Sequence, residues 1–150
     1  METQKTALAI KDLIIINNDR YYGYKTAVSE TKDEDLKSLF TQFSNQSKTF
    51  SVQLRKFIPA DETGINDNET KNSGKLFRLW MDFRSAITDH DRKAILRSCE
   101  FGEYAAKRTY DEVLEYKQDI PAEAMSLIRR QREELQKGHD QVKSMRQAIE

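Results

Sequence analysis

The stretch DHDRKAILRSCEFGEYAAKRTYDEVLEYK, residues 89–117, decides the architecture. Read at alternating three- and four-residue steps it gives Leu96, Cys99, Glu103, Ala106, Tyr110 and Val113, one stripe along a long helix. Five of these suit a core. Glu103 does not, because an ionised carboxylate on a core-facing stripe costs several kcal/mol unless it is paired, hydrogen-bonded or metal-bound. Whatever surrounds Glu103 is therefore the leading functional question this chain poses.

Outward from that stretch, the same periodicity predicts three more long helices. The first runs from about Thr3 to Ser29 on the seam Ala7, Ile10, Ile14, Asn17, Tyr21, Tyr24, Val28, with Asn17 its polar interruption. Thr31 with Glu34 reads as a capping box for the second helix, which a short turn places antiparallel to the first. That helix reaches about Ile58 on Leu36, Phe40, Phe43, Ser47, Phe50, Leu54, Phe57; Gln46 and Ser47 form its polar break, and Pro59 ends it. Pro59 to Gly74 reads as a surface loop. Ser73 then caps a shorter helix to about Ile87 with the apolar face Leu76, Trp80, Phe83, Ile87, long enough with the loop to cross the bundle from end to end. Asp89 is the expected cap of the helix through Glu103, which ends near Asp119, and Pro121 opens the last helix in its first turn. The final seam is Ala124, Ile128, Gln131, Leu135, Gly138, Val142, Met145, Ile149, with His139 on its rim.

Asn17, Gln46 and Glu103 each fall within about two residues of the middle of their helix, and Gln131 and His139 straddle the middle of the last. Helices packed side by side put these breaks at one height. The expectation is a buried polar layer of Asn17, Gln46, Glu103, Gln131 and His139 in which the breaks satisfy one another. On that reading, replacing Glu103 by leucine orphans Asn17 or His139.

Totals narrow the function classes. The chain has 150 residues, 25 basic and 25 acidic, so no net field draws it to nucleic acid or to an anionic membrane. Its length suits one domain over residues 1–150. Cys99 is the only cysteine and offers neither an internal disulfide nor a metal or redox motif. The apolar patch Leu13 to Ile16 is too short for a signal peptide or membrane span, which points to a cytoplasmic protein. No phosphate loop, His-Glu-x-x-His pair or nucleophile elbow is present, so no enzyme and no cofactor is expected.

Several segments resemble a known family of bacterial ferritin-like four-helix-bundle proteins described as a domain of unknown function. They are Asn17-Asn18-Asp19 and Gly23-Tyr24, Gly74-Lys75-Leu76 with Trp80-Met81-Asp82, Cys99-Glu100-Phe101-Gly102-Glu103 with Tyr110, and Gly138-His139-Asp140. The resemblance implies an all-α, left-handed up-down bundle with a crossover between its second and third long helices, and no established activity. Ferritin-like relatives that do chemistry hold two metal ions between one Glu from each of two helices and Glu-x-x-His from the other two. Here those positions read Asn17, Phe43 with Gln46, Glu103, and Gln136 with His139. One carboxylate and one imidazole remain, an incomplete set for two hard cations.

Each candidate has a functional and a structural reading. Glu103 and His139 form either a metal or proton-transfer pair, or a buried hydrogen-bonded pair that sets helix register; the sparse ligand set favours the latter. Tyr21, Tyr22, Tyr24, Tyr104 and Tyr110 are expected to pack with their hydroxyls reaching solvent. Cys99 reads as a small hydrophobe, and His90 as a solvated residue. Arg129, Arg130, Arg132, Lys137 and Lys143 are interleaved with acids and read as a solvated face. The Leu76, Trp80, Phe83 face needs a cover, either the bundle itself or a second copy in a homodimer. The functional expectation is a non-enzymatic bundle acting by self-association or partner binding, in a stress setting if the family resemblance is a guide. The alternative is a degenerate metal- or small-ligand-binding bundle using Glu103 and His139.

Overall fold

The computed structural model describes residues 2–58, 74–115 and 120–149, with side chains described from 6 to 58, 80 to 115 and 120 to 149. Among these residues all regular structure is helical: α1 Glu2–Glu30, α2 Glu34–Arg55, α3 Gly74–Thr88, α4 Arg92–Glu115 and α5 Ala122–Gln147.

Cross-helix bonds give the directions. Asn18 meets Ser51 and Tyr21 meets Ser44, so α1 and α2 are antiparallel. Asn17 meets Tyr110 and Tyr24 meets Cys99, so α4 also opposes α1. Glu100 meets Arg146 and Asp111 meets Arg132, which sets α5 against α4. It follows that α2 and α4 run the same way. Their first turns lie together, where Arg92 donates to Asp35 at 3.0 Å and pairs with Asp33 at 3.4 Å. The chain from α2 to α4 therefore returns along the helices. On that return α3 lies alongside α1, with Trp80 over Gly23 and Arg84 within 3.5 Å of Glu30.

Two apolar clusters hold these helices. One gathers Ile10, Leu13, Ile14, Leu54, Val113, Ile128 and Leu135, and the other Leu36, Phe40, Phe43, Phe83, Leu96 and Val142. Each fully buried Ile, Leu or Phe contributes roughly 1.5–3 kcal/mol. Between the clusters Ile16, Asn17, Asn18, Asp19 and Arg20 are all buried in succession. A run of five spans more than a full turn, so α1 is enclosed there on every side.

The caps differ from expectation. Thr31 still makes the closing bond of α1, its amide donating to the Ala27 carbonyl at 2.9 Å, so no capping box forms with Glu34. Its hydroxyl instead accepts from the Asp33 amide at 3.4 Å, and α2 starts after Asp33. At the end of α3, Asp91 N bonds Ala86 O and His90 N bonds Ile87 O, with His90 at φ 55°. That is a Schellman ending with histidine in the left-handed position usually given to glycine. The reversal carries the cap of α4 past Asp89 to Asp91, whose Oδ1 accepts from Ala94 N at 3.2 Å. Pro121 precedes the first turn of α5 as its N-cap residue. Ser73, the loop from Pro59 and the expected end of α4 near Asp119 lie outside the described residues.

The Trp80 face is covered from within. Phe83 is buried against Tyr24 and Phe40, and the Trp80 indole stands edge-on to Tyr24 with ring centroids 5.8 Å apart. Gly23 makes this approach possible, because a Cβ there would overlap the indole ring. Phe83 and the inner side of Trp80 thus pack onto the chain's own helices, while Trp80 stays partly exposed; the Leu76 side chain lies outside the described residues.

Candidate functional site

Glu103 is buried in the middle of α4 and faces α1. Its partner is Arg20, which bonds both carboxylate oxygens: Nε to Oε2 at 2.8 Å and Nη2 to Oε1 at 2.6 Å. Tyr24, one turn on, donates its hydroxyl to Oε2 at 3.0 Å. The remaining guanidinium nitrogen, Nη1, donates to the Phe43 carbonyl at 3.2 Å and to Ser47 Oγ at 2.8 Å. Phe43 and Tyr24 place their rings 4.8 Å and 5.6 Å from the guanidinium carbon. Burial disfavours the Arg20 cation, but the facing Glu103 charge and its hydrogen bonds outweigh this and hold the arginine above its already high ordinary pKa. A two-point arginine–carboxylate contact in a dry interior is the strongest form of ion pair, and both ions have their polar atoms matched.

A second set of bonds continues from the first through Ser47. Its hydroxyl, accepting from Arg20, donates to Asn17 Oδ1 at 2.9 Å. Asn17 Nδ2 donates to the Leu13 carbonyl at 2.8 Å and to Tyr110 Oη at 2.7 Å. Tyr110 Oη donates in turn to Gln131 Oε1 at 2.6 Å, and Gln131 Nε2 donates to Gln53 Oε1 at 3.1 Å and to the Phe50 carbonyl. At the other end Cys99 Sγ lies 3.1 Å from Tyr24 Oη. The tyrosine's one proton is committed to Glu103, so the thiol is the donor there. One connected chain of donors and acceptors thus crosses the molecule from Cys99 to Gln53 and joins four helices. Burial pushes the ionisation of the Cys99 thiol and the Tyr24 and Tyr110 phenols well up, so these groups stay protonated.

Of the five residues expected in the layer, Asn17, Glu103 and Gln131 are brought together in this chain. Gln46 is half-buried, with Oε1 buried and without a hydrogen-bond partner, and its neighbour Ser47 holds the central place. His139 stands on the rim, its Nδ1 3.2 Å from Asp140 Oδ1, and takes no part. Gly138, one residue earlier, faces Glu103 instead: a Cβ there would sit 2.9 Å from Oε1. The Tyr24 and Tyr110 hydroxyls end inside the molecule rather than in solvent, while Tyr22 and Tyr104 are exposed. Arg20 is the residue that pattern reading missed. Its signal was present, since Asn17, Arg20, Tyr24 and Ala27 recur at three- and four-residue steps, but an arginine on such a stripe reads as the edge of a solvated face.

The di-metal arrangement of active ferritin-like proteins does not fit these residues. Glu103 already has both oxygens bonded by Arg20, a Phe43 ring lies where a carboxylate would be needed, and Gln136 and His139 both bond Asp140. Among the described residues no three His, Cys, Asp or Glu side chains converge as a metal site would require. The cleft beside the pair, walled by Tyr24, Trp80, Cys99, Gly102 and Glu103, has an interior of about 10 Å³, room for one water at most. Within the described residues no helix is long and apolar enough to cross a membrane.

One family model matches residues 5–116, from the first turns of α1 to the end of α4, and its description is domain of unknown function (DUF2383). No curated protein matches the chain. The match covers Asn17, Arg20, Tyr24, Ser47, Cys99, Glu103 and Tyr110; Gln131 and Gly138 lie beyond it on α5.

Proposed function

The chain belongs to the family described as a domain of unknown function (DUF2383), and from that premise we propose that it is a non-enzymatic protein acting by self-association or by binding a protein partner. In this reading residues 1–150 form a single ferritin-like four-helix bundle, made of α1, α2, α4 and α5, with α3 on the crossover. The parallel course of α2 and α4 supports it, since a bundle with one long crossover requires that course.

The observation that carries the reading is the internal pairing of Glu103, both of whose oxygens are bonded by Arg20. Arg20 is a cation supplied by the chain itself, and with Tyr24 it donates three hydrogen bonds to the carboxylate, one to Oε1 and two to Oε2, so the group holds helices together instead of holding a reactant. A cytoplasmic location is supported by the single cysteine, which suits a reducing compartment, and a stress setting by the family resemblance alone.

The competing reading is a degenerate metal- or ligand-binding bundle using Glu103 and His139. It requires Glu103 to release Arg20 and His139 to leave Asp140 and turn inward. Elemental analysis of protein purified without chelator separates the two. Substoichiometric metal, unchanged in Glu103→Ala, is the expected result; stoichiometric iron, manganese or zinc that is lost in Glu103→Ala overturns the proposal.

A further inference from the structure

The outward stripe of α4 consists of Arg97, Phe101, Tyr104, Arg108 and Glu112, spaced by four, three, four and four residues and so aligned on one side of the helix. Phe101 and Tyr104 keep 55% and 48% of their surface exposed, and the Arg108 and Glu112 side chains, 66% and 63% exposed, form an i,i+4 ion pair at 3.6 Å, a solvent-screened contact weak enough to be shared with a second copy. Arg97 is exposed as well. Two aromatic rings at the centre of a helix, bracketed by charge, are a composition that interface cores favour and solvated faces do not. Beside the rings the helix is shallow. Ala105 adjoins Gly102, where a Cβ would meet no atom within 4 Å.

We propose that this stripe is the contact between two copies of the chain, packed with their α4 helices antiparallel about a two-fold axis that passes between Tyr104 and Ala105. The inference rests on the self-association half of the function proposed above. Charge order selects both the occupant and the direction. Under that symmetry Arg97 of one copy faces Glu112 of the other, Phe101 faces Arg108, and Tyr104 lies over Ala105, each pair occurring twice. The result is two ion pairs at the ends, two cation–aromatic contacts inside them, and two tyrosine rings seated on the small residues at the centre. A parallel packing would set Arg97 against Arg97 and Arg108 against Arg108. The stripe spans sixteen residues, about 22 Å at the helical rise, which is the length of a modest and reversible contact.

Sedimentation equilibrium on the full chain tests this. The wild type is expected to show a concentration-dependent monomer–dimer equilibrium that weakens with added salt. Arg97→Glu or Glu112→Arg alone turns two attractions into two repulsions and should weaken association about tenfold. An equimolar mixture of the two single variants should recover the wild-type strength, because each reversed charge then meets its opposite in the other variant; the double variant should recover it too. Cooperative thermal melts by circular dichroism confirm that each variant folds, with Glu112→Arg lowered by no more than a few degrees because it also loses its own i,i+4 pair with Arg108. A wild type that dimerises while both reversals leave association unchanged overturns this contact and keeps self-association through another face. A wild type that stays monomeric at every concentration overturns the contact and the self-association reading together.

Discussion

Arg20 of α1 and Glu103 of α4 face each other at two points, 2.8 Å and 2.6 Å apart, with 3% and 1% of their side chains exposed. Taking both charges out of water costs several kcal/mol per ion, and mutual attraction plus full hydrogen bonding returns most of it. The pair is therefore a weak source of net stability, whereas either ion left alone in that place costs several kcal/mol.

Removal of one partner should show this asymmetry. Glu103→Leu strands the Arg20 cation and is expected to cost about 3–5 kcal/mol, while Arg20→Met with Glu103→Leu recovers most of the loss. Urea unfolding at constant m-value measures both. A single variant as stable as the wild type would refute the pairing as described.

Tyr110→Phe deletes the hydroxyl that accepts from Asn17 and donates to Gln131. Two buried groups lose a partner at once, for an expected cost of about 1–3 kcal/mol with little change in packing. The same unfolding assay reads it.

Gly23→Ala brings a methyl group into the Trp80 ring. Alanine is the better helix former by about 1 kcal/mol, but overpacking costs about 1–3, so α3 should lift and stability should fall. Trp80 is the chain's only tryptophan, so a red-shifted emission reports the displacement directly.

High pH should destabilise the fold. Folding holds the Tyr24 and Tyr110 phenols and the Cys99 thiol above their unfolded pKa values. Their contribution is complete below about pH 8.5, where the unfolded thiol begins to ionise, and it declines as pH rises toward the folded values. Each group ionised only in the unfolded chain should lower stability by about 1.4 kcal/mol per pH unit. Cys99 should likewise resist a thiol reagent at pH 8 until the protein unfolds, and rapid labelling of the native state would contradict its burial.

His90→Gly should raise stability by about 1 kcal/mol. The left-handed backbone at His90 carries a steric penalty that glycine lacks, and the side chain is exposed. Thermal melting measures the gain.

Pattern reading located the helices and the anomaly at Glu103 because burial leaves a periodic trace: Leu96, Cys99, Ala106 and Tyr110 recur on one face whatever lies opposite. It misassigned neighbours. One residue is about 100° of helical rotation, so choosing Gln46 over Ser47, or His139 over Gly138, turns a side chain away from the core while leaving its height unchanged. Arg20 was lost for another reason. Charge is read as solvated by default, and that default fails only where a specific opposite charge is buried with it.

The one-dimensional order of apolar and polar residues determined that this chain is helical, where its long helices run, and at what level their seams turn polar. Only the tertiary structure decided that α1 is enclosed on all sides, that Arg20 rather than His139 answers Glu103, and that Trp80 is seated on Gly23. Periodicity is a property of one helix at a time, whereas the pairing of buried charges depends on which helices meet, at what rotation, across residues far apart in the chain.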